Sequence, residues 1–570
     1  MGFIGQFNLT VLCSVFLVGC GGGGGESPVI TPPAVTTTTT TTTTTTPLPS
    51  TPSFDVEFSS IPDFTIENAI AELDLPNCTL SNIQQVMFLD LNNDDRKDIL
   101  AFVLCGDLNH PNTSPDVVHD ESTPNTMIAL LSQRDGSYEV NNIDVFGKNH
   151  VQLGGEMGGI IGNITALEDT SAGIGLPHIT YIISRDDFRR TRSDDFSNHF
   201  SYQGVLTPDF NNQYNMNTLG ETPIWAQGQA VLPNQSYGWD LLYGYWEPTF
   251  QQEDVYAYRN NGQKWDNVSE EYSNNDATKE LSQWNYLTTV DTENHAPFGE
   301  IKSSTANYTF GGGGHGFGVY DITAGQVTKI DEFDHCKEIG CIDWKGSEGV
   351  DTWCMRKEIV TLNGNYYFGG MAWDHFELWW PTPDSEPLVL AWAAVTTLPE
   401  GEVFDANKEY GCDTEFVGGT VVTAFSFVDG NIVLADTPFE NALWAGGGTH
   451  KQTVDLNNDG YMDLWVSGGT GYGYEPDVYI NNKEGMLIKE AHNQLPKLSE
   501  KEVCDESTGY CLKYKSTGLL VDLNDDGITD MVQFHEGSVT PNLYDFVFEQ
   551  GSDGTVFENQ SGLISVWYGE

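Results

Sequence analysis

From Phe54 onward the chain is written in short apolar runs rich in Val, Ile, Tyr, Phe and Trp, broken by Gly, Asn and Asp. Asn365-Tyr366-Tyr367-Phe368, Thr420 to Phe427 and Asn431 to Ala435 are of this kind. β-branched and aromatic residues suit a pleated, half-buried surface, and the intervening residues suit turns. The helical period of 3.6 is scarce, and Ile66 to Leu75 is the best short helix candidate. The pattern predicts an all-β body.

One strand–turn–strand element recurs. Asp477 to Leu487 reads as a strand, a polar turn and a strand, and Asp254 to Trp265 has the same grammar. Thr126 to Tyr138 and Asp545 to Phe557 follow it loosely.

A nine-residue acidic pattern recurs as well, at 90–98, 455–463 and 522–530. Oxygen side chains stand at its positions 1, 3, 5 and 9. A short loop of this kind suits Ca²⁺, which takes six to eight hard oxygen ligands. Asp455 and Asp522 lie 67 residues apart (522 − 455). Dividing the body by that spacing gives about seven to eight units of four-stranded sheet, within the range of radial β repeats. Closing such units into a β-propeller of about seven blades leaves only short, protected edges.

These residues resemble the FG-GAP/VCBS repeats, the calcium-bearing blades of integrin α-type propellers. The resemblance rests on Asp-x-Asn-x-Asp-Gly-x-x-Asp loops after an apolar strand, followed by Val478-Tyr479-Ile480-Asn481-Asn482 and Gly485. It is good over Gly446 to Phe557 and fair over Val86 to Tyr138. Between them it is poor, so the middle blades are expected to be degenerate, with long insertions and no metal loop. The resemblance implies side-chain ligands Asp90, Asn92, Asp94 and Asp98, then Asp455, Asn457, Asp459 and Asp463, then Asp522, Asn524, Asp526 and Asp530. It implies backbone carbonyl ligands from Arg96, Tyr461 and Ile528. About three structural Ca²⁺ sites follow. Position 6 must turn sharply, which Gly460 and Gly527 accept freely; Asp95 holds that place in the first loop and tolerates the left-handed region better than most residues.

The first 53 residues read as targeting and tether. An apolar stretch from Leu9 to Val18 ends in Leu17-Val18-Gly19-Cys20, which resembles a bacterial lipobox with Cys20 as the acylated residue. Residues 1–8 contain no Lys or Arg, a departure from the usual signal. Gly21 after the cysteine favours the outer membrane, by the same resemblance. Residues 1–19 are thus expected to be a lipoprotein signal peptide. Residues 20–53, with a Gly run and unbroken Thr from Thr36 to Thr46, read as a flexible tether. Residues 54–570 are expected to form a single propeller domain with degenerate, insertion-bearing middle blades.

Charge narrows the partners. The chain has 82 Asp+Glu against 25 Lys+Arg, a formal net of −57, which argues against nucleic acid, whose phosphates need basic patches. Membrane contact is expected through the lipid only. Eight cysteines remain beyond Cys13 and Cys20, an even number that suggests disulfides in an exported chain. Their pairing is open; Cys504 with Cys511 and Cys78 with Cys105 are the readiest pairs.

Candidate ligand-binding residues fall between the first and second acidic loops. Arg185, Arg189, Arg190 and Arg192 form either an anion- or uronate-binding patch or salt bridges with Asp186, Asp187, Asp194 and Asp195. Tyr237, Trp239, Tyr243, Tyr245 and Trp246 can stack on sugars or pack between blades, as can Trp373, Trp379 and Trp380. His315, in a Gly run, and His375, beside Asp374, are candidate bases. No Gly-x-Ser-x-Gly, P-loop or His-Glu-x-x-His motif occurs. The expectation is a calcium-stabilised binding module for a polysaccharide or protein partner. A polysaccharide-degrading enzyme such as a lyase and a subunit of an outer-membrane assembly are the alternatives.

Overall fold

The computed structural model describes residues 56–569 apart from several connections, the longest being 107–124, 187–198, 247–254, 292–299, 344–357, 406–416, 468–476, 491–500 and 539–563. The signal and tether, Cys20 included, lie outside the described residues. Strands pair antiparallel with their chain neighbours in seven four-stranded blades arranged in a ring, a β-propeller. Six blades span 80–140, 160–222, 225–267, 286–334, 372–434 and 450–489. The seventh takes Cys511–Val521, Asp530–Ser538 and Ile564–Trp567, and its outermost strand is Phe64–Ile66. The pairs Phe64↔Val566, Thr65↔Ser565 and Ile66↔Ile564 close the ring.

Period-2 alternation gives each blade two apolar faces, and each face is covered by a neighbouring blade. One apolar cluster lies at each junction. Leu519 and Phe534 of the seventh blade meet Val86 and Ile128 of the first. Phe102 and Met127 meet Tyr181 and Leu206 of the second, whose Val205 meets Trp239 of the third. Leu242 meets Tyr320 of the fourth, and Phe317 meets Trp373 and Phe425 of the fifth. Trp392 meets Tyr479 of the sixth, and Trp465 meets Leu520 and Met531 of the seventh. Seven junctions for seven blades mean that the core is itself a closed ring.

The structure bears on four of the expectations. The four blades between 160 and 434 are each four-stranded, and a separate three-stranded sheet of Cys341–Asp343, Glu358–Leu362 and Asn365–Phe368 stands as an insertion between the fourth and the fifth. Of the helix expected at Ile66 to Leu75, Ile66 ends the strand Phe64–Ile66, which supplies the outer strand of the last blade, and 67–72 and 74–75 lie outside the described residues. The hairpin expected at 545–557 lies outside the described residues, and the outer pair of that blade is 564–567 with 64–66. A disulfide joins Cys336 to Cys341, a pair that spacing did not single out. Cys504 stands opposite Cys511 in register, a placement that keeps two Cα atoms within disulfide reach. Cys78 lies outside the described residues. No helix among the described residues is long and apolar enough to cross a membrane.

Candidate functional site

The chain order of the strands fixes two sides of the ring. First-to-second and third-to-fourth connections lie at one end of each blade, and second-to-third connections lie at the other. All three acidic loops join a first strand to a second strand, in the first, sixth and seventh blades. Those blades are consecutive once the ring closes, so the loops form one arc on one side. Contacts join them: Lys97 Nζ donates to the Asp522 carbonyl at 2.6 Å, and Thr529 Oγ1 donates to the Asp455 carbonyl at 3.1 Å.

The three loops share one hydrogen-bond pattern. The register pairs Leu89↔Asp98, Val454↔Asp463 and Val521↔Asp530 set the same starting frame. The carboxylate at position 1 gathers backbone N–H groups from positions 5 and 6. Asp90 Oδ1 accepts from Asp94 at 3.1 Å and its Oδ2 from Asp95 at 2.8 Å. Asp455 accepts from Asp459 at 3.0 Å and Gly460 at 2.7 Å, and Asp522 from Asp526 at 3.2 Å and Gly527 at 2.9 Å. The position-5 carboxylate accepts from the position-7 N–H in each loop, at 3.1, 3.0 and 2.8 Å.

Position 9 is a buried bracket. Asp98, Asp463 and Asp530 are all 0% exposed. One oxygen of each accepts the backbone N–H of Leu91, Leu456 or Leu523 at position 2. The other accepts from Ser132, Asn481 or Gly569, at or just beyond the end of the third strand of the same blade. Burial, opposed by those hydrogen bonds and aided by the neighbouring carboxylates, pushes the carboxyl of Asp98 up to about 7, Asp463 to about 8 and Asp530 to about 6. Asp455 is raised for the same reason.

Two residues per loop are left-handed, at positions 4 and 6. The φ values are 62° and 62° at Asn93 and Asp95, 52° and 85° at Asn458 and Gly460, and 57° and 84° at Asp525 and Gly527. Position 4 was not singled out from the sequence. Its signal is that all three loops place Asn or Asp there, the side chains that tolerate this region best.

The donors fit a hard cation. They are all oxygen, drawn from carboxylates, amides and the backbone. Asn92 Oδ1, at position 3 of the first loop, is buried without a hydrogen-bond partner. The carboxylate at position 5 also has a side-chain partner in each loop. Arg96 Nη2 bonds to Asp94 and to the Ser132 carbonyl, Lys483 Nζ lies 3.1 Å from Asp459, and Asn524 Nδ2 donates to Asp526 at 3.0 Å. These contacts fall on Oδ2 of each position-5 carboxylate, while its Oδ1 accepts the position-7 N–H.

The aromatic candidates separate. Trp239 and Tyr243 are 0% and 1% exposed, so they are core residues and not a sugar platform. With Leu241 between them they occupy the face of the third blade that meets the second, and Trp239 Nε1 donates to the Glu168 carbonyl at 2.9 Å. Trp373 and Trp379 are likewise fully buried, while Trp380 is half-buried. Tyr245 and Trp246 end the second strand of the third blade, opposite Ala226 and Trp225, on the side away from the acidic loops. Arg185 stands near the end of the second strand of the second blade, on that same side. Tyr237, Arg189, Arg190, Arg192 and His315 lie outside the described residues.

His375 belongs to a mixed cluster near the start of the first strand of the fifth blade, again on the side away from the acidic loops. A bulge falls between Trp373 and His375. His375 Nε2 lies 2.8 Å from Glu377 Oε1. From the sixth blade, Lys451 Nζ lies 3.8 Å from Asp374 Oδ1 and 5.1 Å from the centre of the Trp392 ring. Asp374 Oδ1 and Glu377 Oε2 are buried acceptors with no hydrogen-bond donor among the described residues. Such an arrangement can bind hydroxyl groups or move a proton at His375.

The third blade holds a further charged cleft of about 300 Å³, between its own strands and the turn at Gly325 to Val327 of the fourth. The buried Asp240 takes two bonds from Arg259 Nε, one from Arg259 Nη2 at 2.8 Å, one from the Tyr272 hydroxyl at 2.5 Å and one from Asn234. Its own bonds to Asp240, and a further one to Glu271, push the guanidinium of Arg259 further toward its charged form. Nothing in the spacing of Asp240, Arg259 and Tyr272 foretells the cleft, because three separate elements bring them together.

No protein-family model matches the chain, and no curated protein matches it. Among solved structures, rhamnogalacturonan lyase YesW is similar at TM-score 0.26 and 10% identity, over 80% of this chain and 70% of that one. The rhamnogalacturonan lyase of Bacillus licheniformis gives TM-score 0.28 and 11% identity, over 80% and 70%. An exo-β-1,3-galactanase from Phanerochaete chrysosporium gives TM-score 0.21 and 10% identity, over 85% and 92%. Similarity at this level carries no argument about what this chain does. The chain itself is a seven-bladed β-propeller with three matching acidic loops on consecutive blades.

Proposed function

We propose that the chain is a calcium-stabilised β-propeller of the FG-GAP/VCBS type that serves as a binding module for a polysaccharide or protein partner. The observation that supports this most is the shared atomic pattern of the loops at 90–98, 455–463 and 522–530. Calcium, when bound, supplies the positive charge that offsets three or more converging carboxylates in each loop. The chain's own residues do the rest. Positions 1 and 5 hold the turn through backbone N–H groups, positions 4 and 6 reverse the chain, and position 9 ties the loop to the third strand.

Binding then belongs to the opposite side, where the second-to-third connections emerge over a scaffold tied together from below. An N-terminal lipid on Cys20 and the tether at 20–53 would hold this body at the bacterial outer membrane. The test is retention of the purified, calcium-loaded body on a panel of immobilised neutral and acidic polysaccharides, and co-purification of proteins from membranes. Retention by one polysaccharide class, or one stoichiometric protein partner, supports the reading. Absence of both removes it.

The cluster of Asp374, His375, Glu377 and Lys451 favours a second reading, a polysaccharide-degrading enzyme. His375, oriented by Glu377, would take the proton beside the carboxylate of a uronate ring, while Lys451 balances charge. The freed electron pair would form the C4–C5 double bond as the C4–O glycosidic bond breaks, and the departing oxygen would take up a proton from solvent. Unsaturated ends appearing in the ultraviolet spectrum on incubation with acidic polysaccharide, and lost in His375→Ala, would decide for it. Unchanged polysaccharide decides against it.

A further inference from the structure

We infer that the third acidic loop is the clasp of the ring: calcium held by 522–530 positions Asp530, and Asp530 holds the strands that close the propeller. This rests on the calcium reading proposed above and extends it to one loop's separate task.

The three position-9 carboxylates make equivalent bonds but hold different things. Asp98 and Asp463 hold Ser132 and Asn481, which end third strands inside continuous four-stranded blades. Asp530 Oδ1 holds the backbone N–H of Gly569 at 2.9 Å. Gly569 follows Ile564–Trp567, the strand that pairs with Phe64–Ile66 and joins parts of the chain about 500 residues apart.

Several contacts converge there. Gly569 forms a bridge with Phe58. Tyr568 donates its backbone N–H to Asp63 at 2.9 Å and its hydroxyl to the Gly136 carbonyl of the first blade at 2.8 Å. Val56 sits with Leu456, Trp465, Met531 and Trp567 in the junction of the last two blades. The fit at Gly569 is close, since a Cβ there would lie 2.5 Å from the Thr529 carbonyl and 2.7 Å from Ile528 Cγ2. Residues at positions 7 and 8 of the loop therefore form the wall against which the closing segment lies. A loop that opens when its carboxylates repel one another moves both the wall and the bracket.

Hydrogen exchange of the full chain, in calcium and in EGTA, tests this. In EGTA, 56–66 and 564–569 should exchange at least about tenfold faster together with 522–530, while the fifth-blade strand Leu388–Thr397 keeps its protection. Asp526→Ala should reproduce that pattern in calcium, and Asp94→Ala in the first loop should not. Gly569→Ala should expose the closing strands even with calcium present. If calcium binds and 522–530 responds while 56–66 and 564–569 do not, the clasp is refuted and the calcium reading stands. If equilibrium dialysis finds no bound calcium, both fall together.

Discussion

Lys97 and Asp522 stand 425 positions apart in the chain, yet the Lys97 amino group donates to the Asp522 carbonyl at 2.6 Å. Lys97 also lies 3.3 Å from the Asp525 carboxylate. The first acidic loop is thus a neighbour of the third, and ring closure converts three scattered motifs into one arc. Lys97→Ala should lower unfolding stability by about 1 kcal/mol, the worth of a partly exposed charged hydrogen bond. A urea midpoint unchanged from wild type would show that this tie does not hold the loops together.

The position-9 carboxylates should be the least replaceable residues of the loops. Asn in place of Asp530 or Asp463 keeps one acceptor but turns an N–H₂ group toward a backbone N–H. Each substitution should cost about 2–4 kcal/mol, because it leaves a buried donor unpaired. Chemical denaturation measures this directly, and a loss below about 1 kcal/mol would contradict the bracket.

Glycine at position 6 serves the backbone alone. No atom lies within 4 Å of where a Cβ would stand at Gly460 or Gly527. Gly460→Ala and Gly527→Ala should therefore cost only about 1 kcal/mol, the penalty of the left-handed conformation. A loss of several kcal/mol in denaturant unfolding would mean that something else fills that space.

The raised carboxyls at Asp98, Asp463 and Asp530 give the calcium-free protein an unusual pH dependence. A carboxyl whose pKa in the fold exceeds its unfolded value of 3.8 stabilises the fold most below that value. It loses this contribution as pH rises through about 6, 7 and 8. Asp135, Asp209 and Asp266 are shifted the other way and are already ionised above pH 5, so they add no slope there. In metal-stripped buffer the melting temperature should fall between about pH 5 and 8.5, and calcium should flatten the fall. A flat profile in stripped buffer would contradict the burial of these charges.

Much of this was legible in the sequence because strands and loops announce themselves locally. The oxygen pattern at Asp455 to Asp463 needs no distant partner to be seen, and its 67-residue recurrence gave the repeat. The hairpin at Asp477 to Leu487 is found as strands at Asp477–Asn481 and Leu487–Lys489. What stayed hidden depends on long-range placement. Phe64–Ile66 is a strand only because Ile564–Trp567 lies beside it. Trp239 could have been a sugar platform by sequence, and only the second blade behind it makes it core. Lys451 carries no motif, and its meeting with Asp374 needs two blades side by side.

Thermal melting of the purified body in EGTA, followed by return of excess Ca²⁺, tests the central claim most directly. The melting temperature should drop in EGTA and recover fully with calcium, and the loaded protein should hold three ions per chain. A melting temperature indifferent to both treatments would mean that the acidic loops are turns and nothing more.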